Sequence, residues 1–289
     1  MNIVKREKLP HFPILYNREK ISFGRLTSSS DILMLFKTVF NRDFKQDLID
    51  WFNACPTGSN RWYAAFENGE PLGMYGLLPI KIRIGRNIYS GALCNNVGVI
   101  PRFYGTGLFQ SLGQFCLKDS NFPIVVCVSN LQAARGHKLI GWERYGVLEL
   151  LSVEVGKREV DFVSYPQFRY LARKTGSYFH IDKDADFLKW RYSKPNEEYF
   201  QSFFENNSYA IWKNYQGRKQ ILEISDFNCI FKLSGTVDIW QFQDTQASLQ
   251  LKNNNCICIL ANEFLIYTGL SMDRDANLYN FEPGDNDVF

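Results

Sequence analysis

The stretch from Tyr89 to Ile140 restricts the fold more than any other part of the chain. Tyr89–Ile100 reads as an apolar strand closed by Pro101, and Arg102–Gly107 follows as a glycine-bearing loop. Leu108, Leu112, Phe115 and Cys116 then recur on one face of a helix that ends near Asp119. Pro123–Ser129 is short and almost continuously apolar, as a strand covered on both faces must be. Asn130–Ile140 reads as a further helix, stopped by Gly141. A strand followed by a helix and a second strand needs a parallel crossover.

The flanks have a different pattern. Ile21–Leu26 predicts a strand. Ser28–Asp31 offers helix caps ahead of Ile32, Leu35, Phe36, Val39 and Phe40 at helical spacing, and a second short helix is expected over Gln46–Phe52. Arg61–Phe66 and Leu72–Ile84 read as strands joined by a turn at Asn68-Gly69, the strongest short hairpin signal. Pro79, inside the second of these, predicts a bulge or a strand edge. Trp142–Val155 holds one or two further strands. The expected class is α/β (α+β): a mixed, mostly antiparallel central sheet with helices on both faces.

Past Lys157 the pattern changes, so the expected division is 1–156 and 157–289. Tyr165–Thr175 and Asp184–Tyr192 look helical. Tyr209–Lys213 and Gln220–Phe227 read as a hairpin across Asn214–Gly217. Val237–Phe242, a helix from about Thr245, and Cys256–Leu270 complete a strand–helix–strand order. At 289 residues the chain is long enough for two such parts.

Composition removes several functional classes. Net charge is +3 with the cations dispersed, which argues against a nucleic-acid partner. No apolar run approaches bilayer length, so no membrane partner is expected. The odd count of seven cysteines and the charged first ten residues predict reduced thiols and a cytoplasmic location. With no CxxC pair and three histidines, no metal is expected. The chain is expected to work as a monomer or homodimer.

Gly105 and Gly107 sit between a strand and an amphipathic helix. The first turn of a helix carries free N–H groups and partial positive charge, and glycine lets the backbone approach a phosphate. A dinucleotide fingerprint would need glycine where Gln110 stands, and a P-loop would need Gly-Lys-Ser/Thr, which is absent.

The run Asn95-Asn96-Val97-Gly98-Val99-Ile100-Pro101-Arg102-Phe103-Tyr104-Gly105-Thr106-Gly107-Leu108-Phe109 resembles the acetyl-CoA segment of the GNAT (GCN5-related N-acetyltransferase) superfamily. Anchored on Pro101, Tyr104 stands where Arg or Gln is usual, and Phe109 where Gly or Ala is usual. The later run from Asn130 through Ala133 and His137 to Gly141-Trp142 is similar to that superfamily's next helix, with His137 at a tyrosine position. The resemblance covers about residues 20–150. It implies acetyl-CoA as co-substrate, bound by Val97, Gly98, Val99, Tyr104, Gly105, Thr106, Gly107, Leu108, Phe109 and Asn130. It implies direct attack of an amine on the thioester, with His137 as proton donor; Asn95, Asn96 or Cys94 is expected to position a water, Cys94 being otherwise a half-buried strand thiol.

Asp186–Tyr192, with Pro195 and Tyr199, resembles a stretch of larger two-part bacterial GNAT-like proteins, so the second part is expected to be a smaller, degenerate GNAT-like half that shapes the acceptor cleft. The expected acceptor is a small-molecule amine, with an amino sugar of surface-polysaccharide synthesis preferred. A longer acyl or aminoacyl donor, or a non-catalytic CoA-binding or cofactor-free module, are the alternatives. Glu282, Asp285 and Asp287 are either acceptor ligands or a solvated end.

Overall fold

A computed structural model of the protein describes residues 12–156, 160–169, 178–254, 256–273, 275 and 279. The terminal acids Glu282, Asp285 and Asp287, and 170–175 of the expected helix Tyr165–Thr175, lie outside these residues. The chain forms two compact units. The first holds residues up to Ile82, then Ile88–Arg144 and Leu265–Met272. The second holds Arg83–Asn87, Tyr145–Phe264 and the residues from Asp273 onward. The sequence boundary after residue 156 falls in the second unit, just past the end of its first long strand.

In the first unit β1 (Ile21–Arg25), α1 (Ser29–Phe40) and α2 (Gln46–Asn53) precede β2 (Arg61–Glu67), β3 (Glu70–Ile84) and β4 (Asn87–Val99). Then come α3 (Leu108–Ser120), β5 (Ile124–Ser129) and α4 (Leu131–Leu139). The sheet order is β1-β2-β3-β4-β5. β1–β2 and β2–β3 are antiparallel and β4–β5 is parallel, so the crossover read from the sequence is present.

Local chemistry explains the elements. Ser28 accepts from the Asp31 N–H at 3.2 Å and caps α1. Asn68 and Gly69 have φ of 53° and 87°, as the two-residue hairpin turn between Glu67 and Glu70 requires. Pro79 sits past Leu77, the last β3 residue in register with β2, so its missing N–H breaks no bond of that ladder.

Adjacent side chains of β2 point to opposite faces and show where the helices lie. Trp62 packs edge-on against Phe36 of α1 and Phe52 of α2, at centroid distances of 5.8 and 5.2 Å. Tyr63 meets Phe115 of α3 at 6.1 Å. Helices therefore cover both faces of this sheet.

In the second unit β6 (Glu143–Val155) pairs antiparallel with β12 (Gly235–Phe242). The region Trp142–Val155 is thus one strand. β7 (Phe162–Ser164), β8 (Phe179–Ile181), α5 (Ala185–Arg191) and β9 (Phe200–Phe203) follow. β10 (Tyr209–Tyr215) and β11 (Arg218–Ile224) form the expected hairpin, turning at Gln216 and Gly217 with φ of 52° and 78°. β11 lies parallel to β12, and α6 (Gln246–Lys252) leads into β13 (Ile257–Thr268), whose last residues belong to the first unit. The described start of the expected helix Tyr165–Thr175 is a turn, with a cis Tyr165-Pro166 bond. Phe227, expected in a strand, instead begins a 3-10 segment, Phe227–Lys232, capped by Asp226.

Candidate active site

The only two pairs in the β4–β5 register are Ala92 with Val125 and Leu93 with Val126. β4 nevertheless runs on to Val99 and β5 to Ser129. Asn96 explains the parting. Its φ of 47° lies in the left-handed region, which asparagine tolerates better than most residues, and one such residue bends a strand. A chain of buried amides holds the bend. Asn96 donates to Asn95 Oδ1 at 2.8 Å, and Asn95 donates to Asn60 Oδ1 at 3.0 Å and to the Leu93 carbonyl at 3.2 Å.

Beyond the bend a cleft of about 350 Å³ opens, walled by β4, the loop before α3, α4 and the end of α1. Val97, Gly98, Val99, Tyr104, Gly105, Gly107, Phe109 and Asn130 of the expected cofactor residues line it. Thr106 and Leu108 do not. The Thr106 hydroxyl donates to the Phe103 carbonyl at 2.8 Å and shapes the loop, while Leu108 is fully buried in a core cluster with Leu72 and Val99.

The loop is built for close approach to a ligand. Gly105 and Gly107 both have positive φ, 73° and 86°. A Cβ on Gly105 would meet nothing within 4 Å, whereas one on Gly107 would lie 2.3 Å from the Pro13 carbonyl oxygen. Gly107 is therefore needed for packing, and Gly105 presents bare backbone. Among the described residues, the N–H groups of Gly107, Phe109 and Gln110 donate to no protein acceptor, as expected of the first turn of a helix such as the thirteen-residue α3.

Tyr104 removes the usual cation, and Arg102 does not restore it, because it pairs with Glu67 at 3.1 Å. Among the described residues, Arg135 is the one charged side chain lining the cleft. It was legible as part of a stripe: Gln132, Arg135, Gly136 and Leu139 stand at helical spacing and all line the cleft. Phe109 fits through a matching glycine. A Cβ at Gly136 would lie 2.7 Å from the Phe109 ring, so the bulk gained at one position is offset by its absence at the other.

The residues given chemical roles by the sequence lie elsewhere. Asn95 and Asn96 are buried and engaged in the bend described above. His137 is fully buried, does not line the cleft, and packs between Phe109 and Trp142 at 5.2 and 4.8 Å. Its Nδ1 is hydrogen-bonded with the Tyr75 hydroxyl at 3.1 Å. Burial pushes the Tyr75 phenol far up, so that hydroxyl stays protonated.

No protein-family model matches the sequence, and no curated protein matches it. Solved structures do. A GCN5-related N-acetyltransferase from Anabaena variabilis aligns over 86% of this chain and 73% of its own, with a TM-score of 0.60 and 12% identity. Eis1 from Mycobacterium abscessus aligns over 86% and 74%, with a TM-score of 0.56 and 10% identity. A tandem GNAT protein from the clavulanic acid biosynthesis pathway aligns over 88% of this chain and all of its own, with a TM-score of 0.55 and 9% identity. The chain has the mixed α/β fold of the GNAT acetyltransferases, tandem GNAT proteins among them. Among the described residues no helix is long and apolar enough to cross a membrane.

Proposed function

We propose that this protein is an acyl-CoA-dependent N-acyltransferase that transfers acetyl to the amine of a small molecule, with an amino sugar as the preferred class. The observation that carries the proposal is the cleft where β4 leaves β5, with the free N–H groups of α3 at its mouth. Its lining fits a pyrophosphate: unpaired N–H groups at the first turn of α3, the open face of Gly105, Arg135, and no carboxylate among the described lining residues. Val97 and Gly98, half-buried on the parted strand, offer main chain to the pantetheine arm and a donor to the thioester oxygen.

The acyl-CoA thioester supplies the activated acyl group. The amine nitrogen bonds to the acyl carbon, the carbon–sulfur bond breaks, and sulfur leaves with its electron pair. The proton lost by nitrogen balances the one taken up by the thiolate. His137 does not reach the cleft, so water at the open mouth carries these protons, and the protein's contribution is orientation and stabilisation of the oxyanion. Free CoA thiol should appear at a steady rate from acetyl-CoA with one member of an amino-sugar panel, with matching N-acetylated product. Binding of acetyl-CoA without turnover on any primary amine would leave a CoA-binding module in place of an enzyme.

A further inference from the structure

A second chemical group lies in the core of the first unit, apart from the cleft lining. Cys94 stands one step past the last register pair of β4 and β5, which sets it beside Cys127. His137 reaches the same point from α4. The two Sγ atoms and an imidazole nitrogen all lie within 4.8 Å of one another, and all three side chains are buried. His137 Nε2 is buried with no hydrogen-bond partner, while Nδ1 is engaged by Tyr75. An unmatched buried polar atom of this kind costs about 1–3 kcal/mol, so it calls for a partner.

We infer that Cys94, Cys127 and His137 form a binding site for one thiophilic d10 cation, zinc(II), at the junction of β4 and β5. Two sulfurs and an imidazole are the soft donor set such ions select. Donors at about 2.0–2.3 Å from one tetrahedral ion stand roughly 3.3–3.8 Å apart, so the three atoms, all within 4.8 Å of one another, would close by up to about 1 Å on loading. Loading exchanges two thiol protons for the ion, and two thiolates, one neutral imidazole and Zn²⁺ sum to zero charge. That neutrality suits a pocket walled by Phe109 and Trp142, where the anionic copper(I) complex of the same donors would be costlier.

Two further features agree. Tyr75 engages Nδ1, and in the tautomer where its hydroxyl accepts from Nδ1–H, Nε2 is left to coordinate. Zinc takes four ligands, and Ser129, buried two residues beyond Cys127, supplies a hydroxyl beside that sulfur. The ion would pin β4 to β5 just before they part, where only two register pairs hold them.

The test uses the full chain, unfolded and refolded with zinc(II) or copper(I) in separate arms, freed of excess ion, and assayed for metal by elemental analysis. About one zinc per chain is expected, with affinity lowered at least ~100-fold by Cys127→Ser or His137→Gln and about 10-fold by Tyr75→Phe. The double variant Cys256→Ser/Cys258→Ser should keep the ion. Should the ligand variants fail to fold, cobalt(II) in the native sequence decides: a thiolate-to-metal absorption band supports the site and its absence refutes it. Uptake of copper(I) alone, lost in the same variants, would keep the site and replace the ion. No stoichiometric uptake in either arm, or zinc retained by folded Cys127→Ser and His137→Gln, overturns the inference. Acetyl-CoA binding, read separately, bears on the cleft and not on this site.

Discussion

Two glycines of one loop do different jobs. Gly107 faces the Pro13 carbonyl at 2.3 Å, and Gly105 faces open space. Both have positive φ, which costs an ordinary side chain about 1–2 kcal/mol. Gly105→Ala should therefore lower unfolding stability by about that amount, while Gly107→Ala should cost distinctly more because a backbone atom blocks its Cβ. Denaturant melts of both variants check this. Tyr63 is a second residue-scale case. Its hydroxyl donates to Asp119 and accepts from Arg25, both at 3.0 Å, and burial pushes its pKa up to about 12. In the unfolded chain a tyrosine ionises near 10. The stabilisation is complete below about pH 10 and is lost as pH rises toward 12, because the unfolded state releases its proton first. Thermal melts across this range should show an alkaline fall that is smaller in Tyr63→Phe.

At the scale of elements, the bend in β4 makes the cleft, and Asn96 makes the bend. Asn96→Gly keeps the left-handed backbone and loses one amide bond, whereas Asn96→Val forces a branched side chain to φ near 47°. The valine variant should be the less stable by about 2 kcal/mol and should bind acetyl-CoA more weakly than the glycine variant. Equal binding would separate the cleft from the bend. The order of the elements here was legible in the sequence, because apolar periodicity, caps and the Asn-Gly turn agreed with one another. The bend was not, since Asn95 and Asn96 read as polar residues available for chemistry. Their burial depends on Asn60, distant in sequence, accepting the amide.

At the scale of the molecule, the fold reached by the sequence resemblance is the fold found, although identity to the aligned structures is only 9–12%. The loop and α3 were legible because glycine placement and a helix start are local features. Arg135 was missed because the motif directs attention to a cation before the helix, and here it stands on α4. His137 was placed by motif spacing alone. Its burial follows from packing between Phe109 and Trp142, a long-range arrangement no spacing reveals. The short strands β7, β8 and β9, of three or four residues each, carry too few positions for alternation to register. The two β4–β5 register pairs also set Cys94 beside Cys127, one step beyond the last of them, which no cysteine spacing could have revealed.

The central claim is that acyl-CoA lies in this cleft with its pyrophosphate on the first turn of α3. Calorimetric titration of acetyl-CoA into the native sequence, Gly105→Asp and Arg135→Glu tests it most directly. Micromolar binding is predicted for the native sequence, weakened at least about 10-fold in each variant, since either carboxylate would face the phosphates where the protein now offers bare backbone or a cation. Absence of binding to the native sequence, or equal binding by all three proteins, would contradict it.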